Sequence, residues 1–229
     1  LEALTIRNGR GGSANDSSGA GVVLVNSNIT IKDCVIRDNV GPASDANGIG
    51  IYGTASNVVV ERCVIANNTS PSATADGLGV YLNGGNHRFI NTVFRENGVA
   101  SGTVLSSLVS VGGGYYGDGG SVFFTRCTFE RNRGGIGGGI GVSGSTTLTI
   151  DACIFDSNTA SQGGGLYVTS ASGGSTHRVR NSLFTRNQSL TNDAAIYLDT
   201  PAILTNLTIV ENVAAASYIV GGNAPTGSV

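Results

Sequence analysis

The sequence contains no methionine and no tryptophan, and only 12 % of its residues are charged. Its acidic and basic side chains nearly balance, for a formal charge of −2, so it offers no basic footprint for nucleic acid or an anionic lipid surface. No apolar run approaches the roughly 18 residues that span a bilayer. No charged segment followed by an apolar one marks an export signal, so any such signal is expected outside these residues. No 3.6-residue pattern is long enough for a helix; apolar residues alternate with period two throughout. Intrinsic disorder is excluded as well, because 40 % of the residues are hydrophobic.

What the sequence has in abundance is glycine, 36 of 229 residues, placed at fixed offsets, which argues against a flexible linker. The most regular stretch is 137–168. Gly137-Gly138-Gly139-Ile140 opens a short apolar strand, Leu148-Thr149-Ile150 forms a second, and Cys153-Ile154-Phe155 leads to Asn158. Then Gly163-Gly164-Gly165-Leu166 begins again. A hydrophobe-x-x-Asn step recurs along the chain, at Ile36 and Asn39, Ile65 and Asn68, Phe94 and Asn97, Phe129 and Asn132, Phe155 and Asn158, Phe184 and Asn187, and Ile209 and Asn212. The Asn-to-Asn spacings are 29, 29, 35, 26, 29 and 25 residues, so register recurs while one segment of each repeat varies in length. Leu4-Thr5-Ile6-Arg7-Asn8 reads as the remnant of a further repeat.

Three strands per repeat, each about five residues or fewer, bury their apolar face only if every turn stacks on the next. The fold this predicts is all-β: a right-handed parallel β-helix, a solenoid of about 7–8 coils with three short strands per coil. One domain is expected over 1–229, with an insertion at 98–120 and a weakly patterned cap or tail at 213–229. In the fourth coil, Leu105, Leu108 and Val111 are expected to supply the first strand. The seven asparagines are expected to form an inward ladder at a tight turn, amide bonded to amide as in cross-β stacks.

The signatures Phe129-Glu130-Arg131-Asn132, Phe155-Asp156-Ser157-Asn158 and Phe184-Thr185-Arg186-Asn187 stand beside Gly137-Gly138-Gly139-Ile140 and Gly163-Gly164-Gly165-Leu166. Together they resemble the FxxN and GG-small-aliphatic repeats of polymorphic outer-membrane autotransporter adhesins. More broadly, the chain resembles the pectate-lyase-like β-helix repeats of large bacterial surface proteins. The resemblance covers nearly the whole chain and implies the β-helix and a place outside the cell, on a bacterial outer surface. The same scaffold carries lyases, hydrolases, adhesins and plain rods, so it does not choose among them.

Four candidate groups remain. Cys34, Cys63, Cys127 and Cys153 hold one place in their coils, with Thr92, Ser182 and Leu207 elsewhere. No C-x-x-C and no nearby histidine suggests zinc, and side chains stacked in register point the same way, so buried free thiols are expected rather than disulfides. Asp45, Asp76, Asp118 and Asp193 are each placed just before the turn that opens a coil. There they either line one edge and bind calcium or serve as turn residues beside glycine or alanine. The charged residues Arg37, Asp38, Arg95, Glu96, Glu130, Arg131 and Arg186 fall in the step before the ladder asparagine and suit a solvated edge. His87 and His177 are expected just before the second strand of their coils, too far apart to cooperate. Tyr52, Tyr81, Tyr167 and Tyr197 each follow the first inward aliphatic of a coil, so alternation points them outward on one face. That stripe either grips sugar rings or a partner, or only stabilises the sheet.

The expected function is a non-enzymatic structural or adhesive rod at the cell surface, with no cofactor beyond possible calcium. A surface glycan or protein is the expected partner, with no nucleic acid and no membrane insertion. Residues 1–8 and 213–229 are expected to meet further protein, allowing self-association through the solenoid ends. The alternative is a polysaccharide lyase, glycoside hydrolase or carbohydrate-binding module on the same scaffold.

Overall fold

A computed structural model describes residues 1–11, 19–43, 47–72, 74–99, 111–169, 177–215 and 219–221. Among these residues every strand pairing is parallel, and each inner strand is bonded to its counterparts one coil before and after. The first sheet has eight strands, from Val22–Val25 through Ile140–Ser143 to Val220–Gly221. The second has seven, from Asn28–Lys32 to Ala202–Thr205, and the third eight, from Thr5–Arg7 to Thr208–Val210. The chain is therefore an all-β parallel solenoid. From Asn39 to Asn212 it climbs six full turns. The larger number expected came from counting ladder asparagines, which exceed by one the turns between them.

Two of the corners in each coil are turned by a single non-glycine residue. Between the second and third sheets the chain turns on one residue in the left-handed region, namely Asp33, Arg62, Asn91, Arg126, Ala152, Asn181 and Asn206 in successive coils. After the third sheet it does so again at Asp38, Asn67, Glu96, Arg131, Ser157, Arg186 and Glu211. A non-glycine residue there costs about 1–2 kcal/mol, and the stacked coils hold it in place. The residue after each corner points inward. At the first corner that residue is Cys34, Cys63, Thr92, Cys127, Cys153, Ser182 or Leu207; at the second it is a ladder asparagine.

The asparagines leave no polar atom idle. The Nδ2 of Asn158 donates to Asn187 Oδ1 and to the Phe129 carbonyl, both at 2.9 Å. Its Oδ1 accepts from the backbone N–H and the Nδ2 of Asn132, both at 3.0 Å. Asn68, Asn97, Asn132 and Asn187 repeat the pattern. Beside this ladder Phe94, Phe129, Phe155 and Phe184 stack with centroids 4.5, 4.9 and 4.4 Å apart. Each is fully buried, worth about 1.5–3 kcal/mol apiece.

The fourth coil departs from expectation. Its first strand is Tyr115–Asp118, paired with Val80–Asn83 and Ile140–Ser143. Leu105 and Leu108 lie outside the described residues, and Val111 makes only a single bridge to Ile136. The glycines decide the register: Gly113 and Gly114 bond to Gly137 and Gly138 of the next coil, as Gly138 and Gly139 do to Gly163 and Gly164. Within the span 98–120, Gly98–Val99 and Tyr115–Asp118 are laddered strands. Tyr115 is fully buried where the neighbouring coils carry Val80 and Ile140. Gly117 makes the room, since a Cβ there would sit 2.8 Å from the tyrosine hydroxyl.

Replacing Asn158 by leucine should strip partners from the Asn132 N–H, the Phe129 carbonyl and the Asn187 carboxamide. Each buried group left unsatisfied costs on the order of 1–3 kcal/mol, so a loss of several kcal/mol is expected in urea unfolding. An unchanged midpoint would show that the ladder does not stabilise the fold.

Candidate functional site

The outward row of the first sheet is the most organised surface feature. Alternation buries Ile51, Val80, Tyr115, Leu166 and Ile196 and turns the following residue out. In register the row reads Val23, Tyr52, Tyr81, Tyr116, Gly141, Tyr167, Tyr197. The four tyrosines expected from the sequence do share this face, and Tyr116 is a fifth. Its signal was present, because Gly113-Gly114-Tyr115-Tyr116 matches Gly164-Gly165-Leu166-Tyr167 position for position.

Stacking determines what the row can do. Tyr52 and Tyr81 lie 5.4 Å apart and 9° from parallel, and Tyr167 and Tyr197 lie 4.6 Å apart at 7°. Tyr81 and Tyr116 are 5.4 Å apart and tilted by 53°. Stacked rings turn their faces to one another and present edges and hydroxyls outward, so the row suits hydrogen bonding better than stacking on sugar rings. Tyr116 is the most enclosed. Its hydroxyl lies 2.6 Å from Ser143 Oγ, which donates to Asp118 Oδ1 at 3.4 Å. Burial pushes the Tyr116 and Tyr167 phenols up to about 12, which keeps both as proton donors.

The row is interrupted at Gly141. A Cβ there would meet Val111 Cγ1 at 2.4 Å, so the Val111 side chain fills the gap between Tyr116 and Tyr167. Val111 is held by its own N–H, which donates to Asp76 Oδ1 at 2.7 Å.

That bond bears on the calcium candidates, which do not share a position. Asp76 precedes the left-handed Gly77, whereas Asp193 is itself the left-handed residue, at φ 63°, where the preceding coil has Gly163. Asp118 ends the strand Tyr115–Asp118 at the opposite edge of the sheet, and Asp45 lies outside the described residues. Sequence spacing grouped them because each stands near a glycine or alanine, but register separates them. Among the described residues, no group of three or more His, Cys, Asp or Glu could hold a metal ion.

The charged corners form pairs between coils. Arg62 reaches Asp33 at 2.7 Å and also Glu61. Arg131 reaches Glu96 at 3.0 Å and also Glu130, and Arg186 bonds Asp156 at 3.0 Å through Nε. Solvent screens these exposed pairs, so they add little to stability.

The histidines sit elsewhere than expected. His87 lies within the strand Asn86–Ile90 and His177 opens His177–Arg180, both inward and buried. They occupy the column of Val58, Val122 and Leu148, three rungs or about 14 Å apart. His177 Nδ1 accepts the Leu148 N–H at 3.3 Å, whereas among the described residues no partner meets hydrogen-bond geometry at either His87 ring nitrogen or at His177 Nε2. Burial lowers the His87 pKa to about 4. Polar residues in this inward column are invisible to a hydrophobic pattern, which is why both were placed before the strand.

A family profile described as "Right handed beta helix region" matches residues 72–224, more than half of the chain. The chain belongs to the right-handed β-helix family. No curated protein and no solved structure matches it. Membership in this β-helix family fixes the handedness of the coils, and with it the pectate-lyase-like superfamily fits. It assigns no chemistry to the tyrosine row.

His87 gives this β-helix an acid-sensitive core. In the unfolded chain an imidazole takes its proton near pH 6.5, whereas in the fold it resists until about pH 4. Between those values the unfolded state binds more protons, so stability falls as pH falls. The loss amounts to roughly 3 kcal/mol once pH is below both values. His87→Val, which copies Val58 and Val122, should flatten the acid limb of urea midpoints measured from pH 7 to 4. The same slope in both proteins would show that His87 titrates normally.

Proposed function

We propose that the chain is a non-enzymatic β-helical rod on the outside of a bacterial cell, serving as a structural spacer or adhesive. The observation that carries this reading is the continuity of its ladders. Amides, phenylalanine rings and charged corners join one coil to the next side chain to side chain, and the thiols and hydroxyls do so by accepting a backbone N–H of the coil before. Such stacking favours a stiff rod, because stability accumulates along the axis from contacts between neighbouring coils. The FxxN and GG-small-aliphatic signatures favour a surface setting, as in the adhesin repeats they resemble. Adhesion would fall to the first sheet, where a hydroxyl-edged tyrosine row can hydrogen-bond a surface glycan or a protein partner.

A rival reading makes that row the binding face of a carbohydrate-active enzyme or carbohydrate-binding module. One panel of plant, algal and bacterial polysaccharides, with and without calcium, separates the two. The rod reading expects no shortening of any polymer. It expects that any retention is lost in a Tyr81→Phe, Tyr167→Phe double variant, which keeps the ring stacks and removes two hydroxyls. Release of oligosaccharides by the native chain would overturn the rod reading. Retention undiminished in the double variant would move adhesion to another face.

A further inference from the structure

The outward face of the second sheet carries two exposed arginines, Arg88 and Arg178, whose side chains have no hydrogen-bond or ion-pair partner among the described residues. They stand in one column, Arg88, Phe123, Thr149 and Arg178, each the register partner of the next. The two therefore leave the sheet three rungs, or about 14 Å, apart. Phe123 is exposed between them.

The first sheet presents the opposite charge at the same interval. None of its strands contains a lysine or an arginine. Beside the tyrosine row runs a second outward column, Asp118, Ser143, Thr169 and Asp199. Asp118 and Asp199 are also three rungs apart, and among the described residues neither is in an ion pair. The Asp118 carboxylate has only the 3.4 Å bond from Ser143. The two columns lie on different faces of one solenoid, so they meet only between two chains.

We infer that the second sheet of one copy docks on the first sheet of another, the two solenoids side by side with axes parallel and shifted by one coil. That shift brings Arg88 to Asp118 and Arg178 to Asp199 at once. It also brings Phe123 to the rung of Gly141 and Ser143, where the row has no tyrosine in its way. In the reversed orientation Arg88 would meet Asp199, and Phe123 would fall at the rung of Tyr167. The contact is heterologous and each copy adds the same axial shift, so it cannot close into a ring and grows as an open bundle. A copy seated on the first sheet covers part of the tyrosine row, and the last copy of a bundle keeps its row free. The inference goes beyond the rod reading, which concerns a single chain: chains that stay apart sink the pairing and leave the rod intact.

The test is sedimentation of the whole chain over a concentration series at low and high salt. Association that weakens as salt rises is expected, because the reach of exposed charges falls from about 30 Å at 0.01 M to about 3 Å at 1 M. Arg88→Glu with Arg178→Glu should abolish it, as should Asp118→Lys with Asp199→Lys, each double variant keeping the native far-UV circular dichroism. Asp199→Lys alone, at an exposed place, should weaken it. An equimolar mixture of the two double variants should associate again, since each face then meets its opposite; stacking through the solenoid ends would not respond in this way. Orientation is read from added cysteines, the native four being buried. Under mild oxidation Thr149→Cys should cross-link to Thr169→Cys, because those rungs face one another in the parallel pairing. Cross-linking of Thr149→Cys to Ser143→Cys instead would overturn the parallel arrangement. A native chain monomeric at every concentration and salt, double charge variants that associate as the native chain does, or a mixture that stays apart would each overturn the pairing.

Discussion

Backbone hydrogen bonds between successive coils hold the strands about 4.8 Å apart, and each side chain meets its counterpart in the next coil at that distance. Groups that attract their own kind at this spacing can form columns. Asparagine amides do so, with a donor and an acceptor on each unit, as from Asn39 to Asn212. Phenylalanines do so by stacking from Phe94 to Phe184. Like charges cannot, and the corner columns accordingly set Asp33 beside Arg62 and Glu96 beside Arg131. The spacing also sets the separation of the paired thiols and the stacking of the tyrosines.

The same constraint explains which features were legible in the sequence. The asparagine, cysteine and phenylalanine columns were, because each repeats one residue type at a recurring offset. So were four of the five tyrosines. The first strand of the fourth coil was not, because Leu105, Leu108 and Val111 offer a rival set of apolar residues and Gly117 stands at an inward place. Tyr115 fills the space that glycine leaves there. Once Gly113 and Gly114 set the register, Tyr116 follows. His87 and His177 were misplaced for a related reason, since a hydrophobic pattern cannot recognise an imidazole filling a valine's place.

The aspartates were misgrouped because distance to a glycine is a poor guide to register. Left-handed corners in this chain fall on Arg62, Glu96, Arg131 and Glu211 as readily as on asparagine. Intrinsic preference would not put them there. The hydrogen bonds of neighbouring coils hold the corner, and the residue in it is then selected by what its side chain meets one rung away. Asp193 takes the place that Gly163 holds one coil earlier, and no count of residues from the nearest glycine reveals it.

These columns also bear on how a ligand could approach the tyrosine row. An extended molecule lying along the axis would meet Tyr52, Tyr81 and Tyr116 as one block and Tyr167 and Tyr197 as another, with Val111 between them. Gly141 leaves the space that Val111 fills, and Asp76 fixes the Val111 backbone. The two blocks therefore differ in enclosure. Tyr116 is nearly covered and its hydroxyl is engaged by Ser143, while Tyr167 and Tyr197 stand half-buried beyond the interruption. Contact across the whole row requires Val111 to move aside. Contact with one block does not, and the upper block then offers the hydroxyls of Tyr52 and Tyr81 and the lower those of Tyr167 and Tyr197. On this geometry the row behaves as two short hydroxyl-edged surfaces, each two to three rungs tall, separated by a valine that the insertion before the fourth coil carries across it.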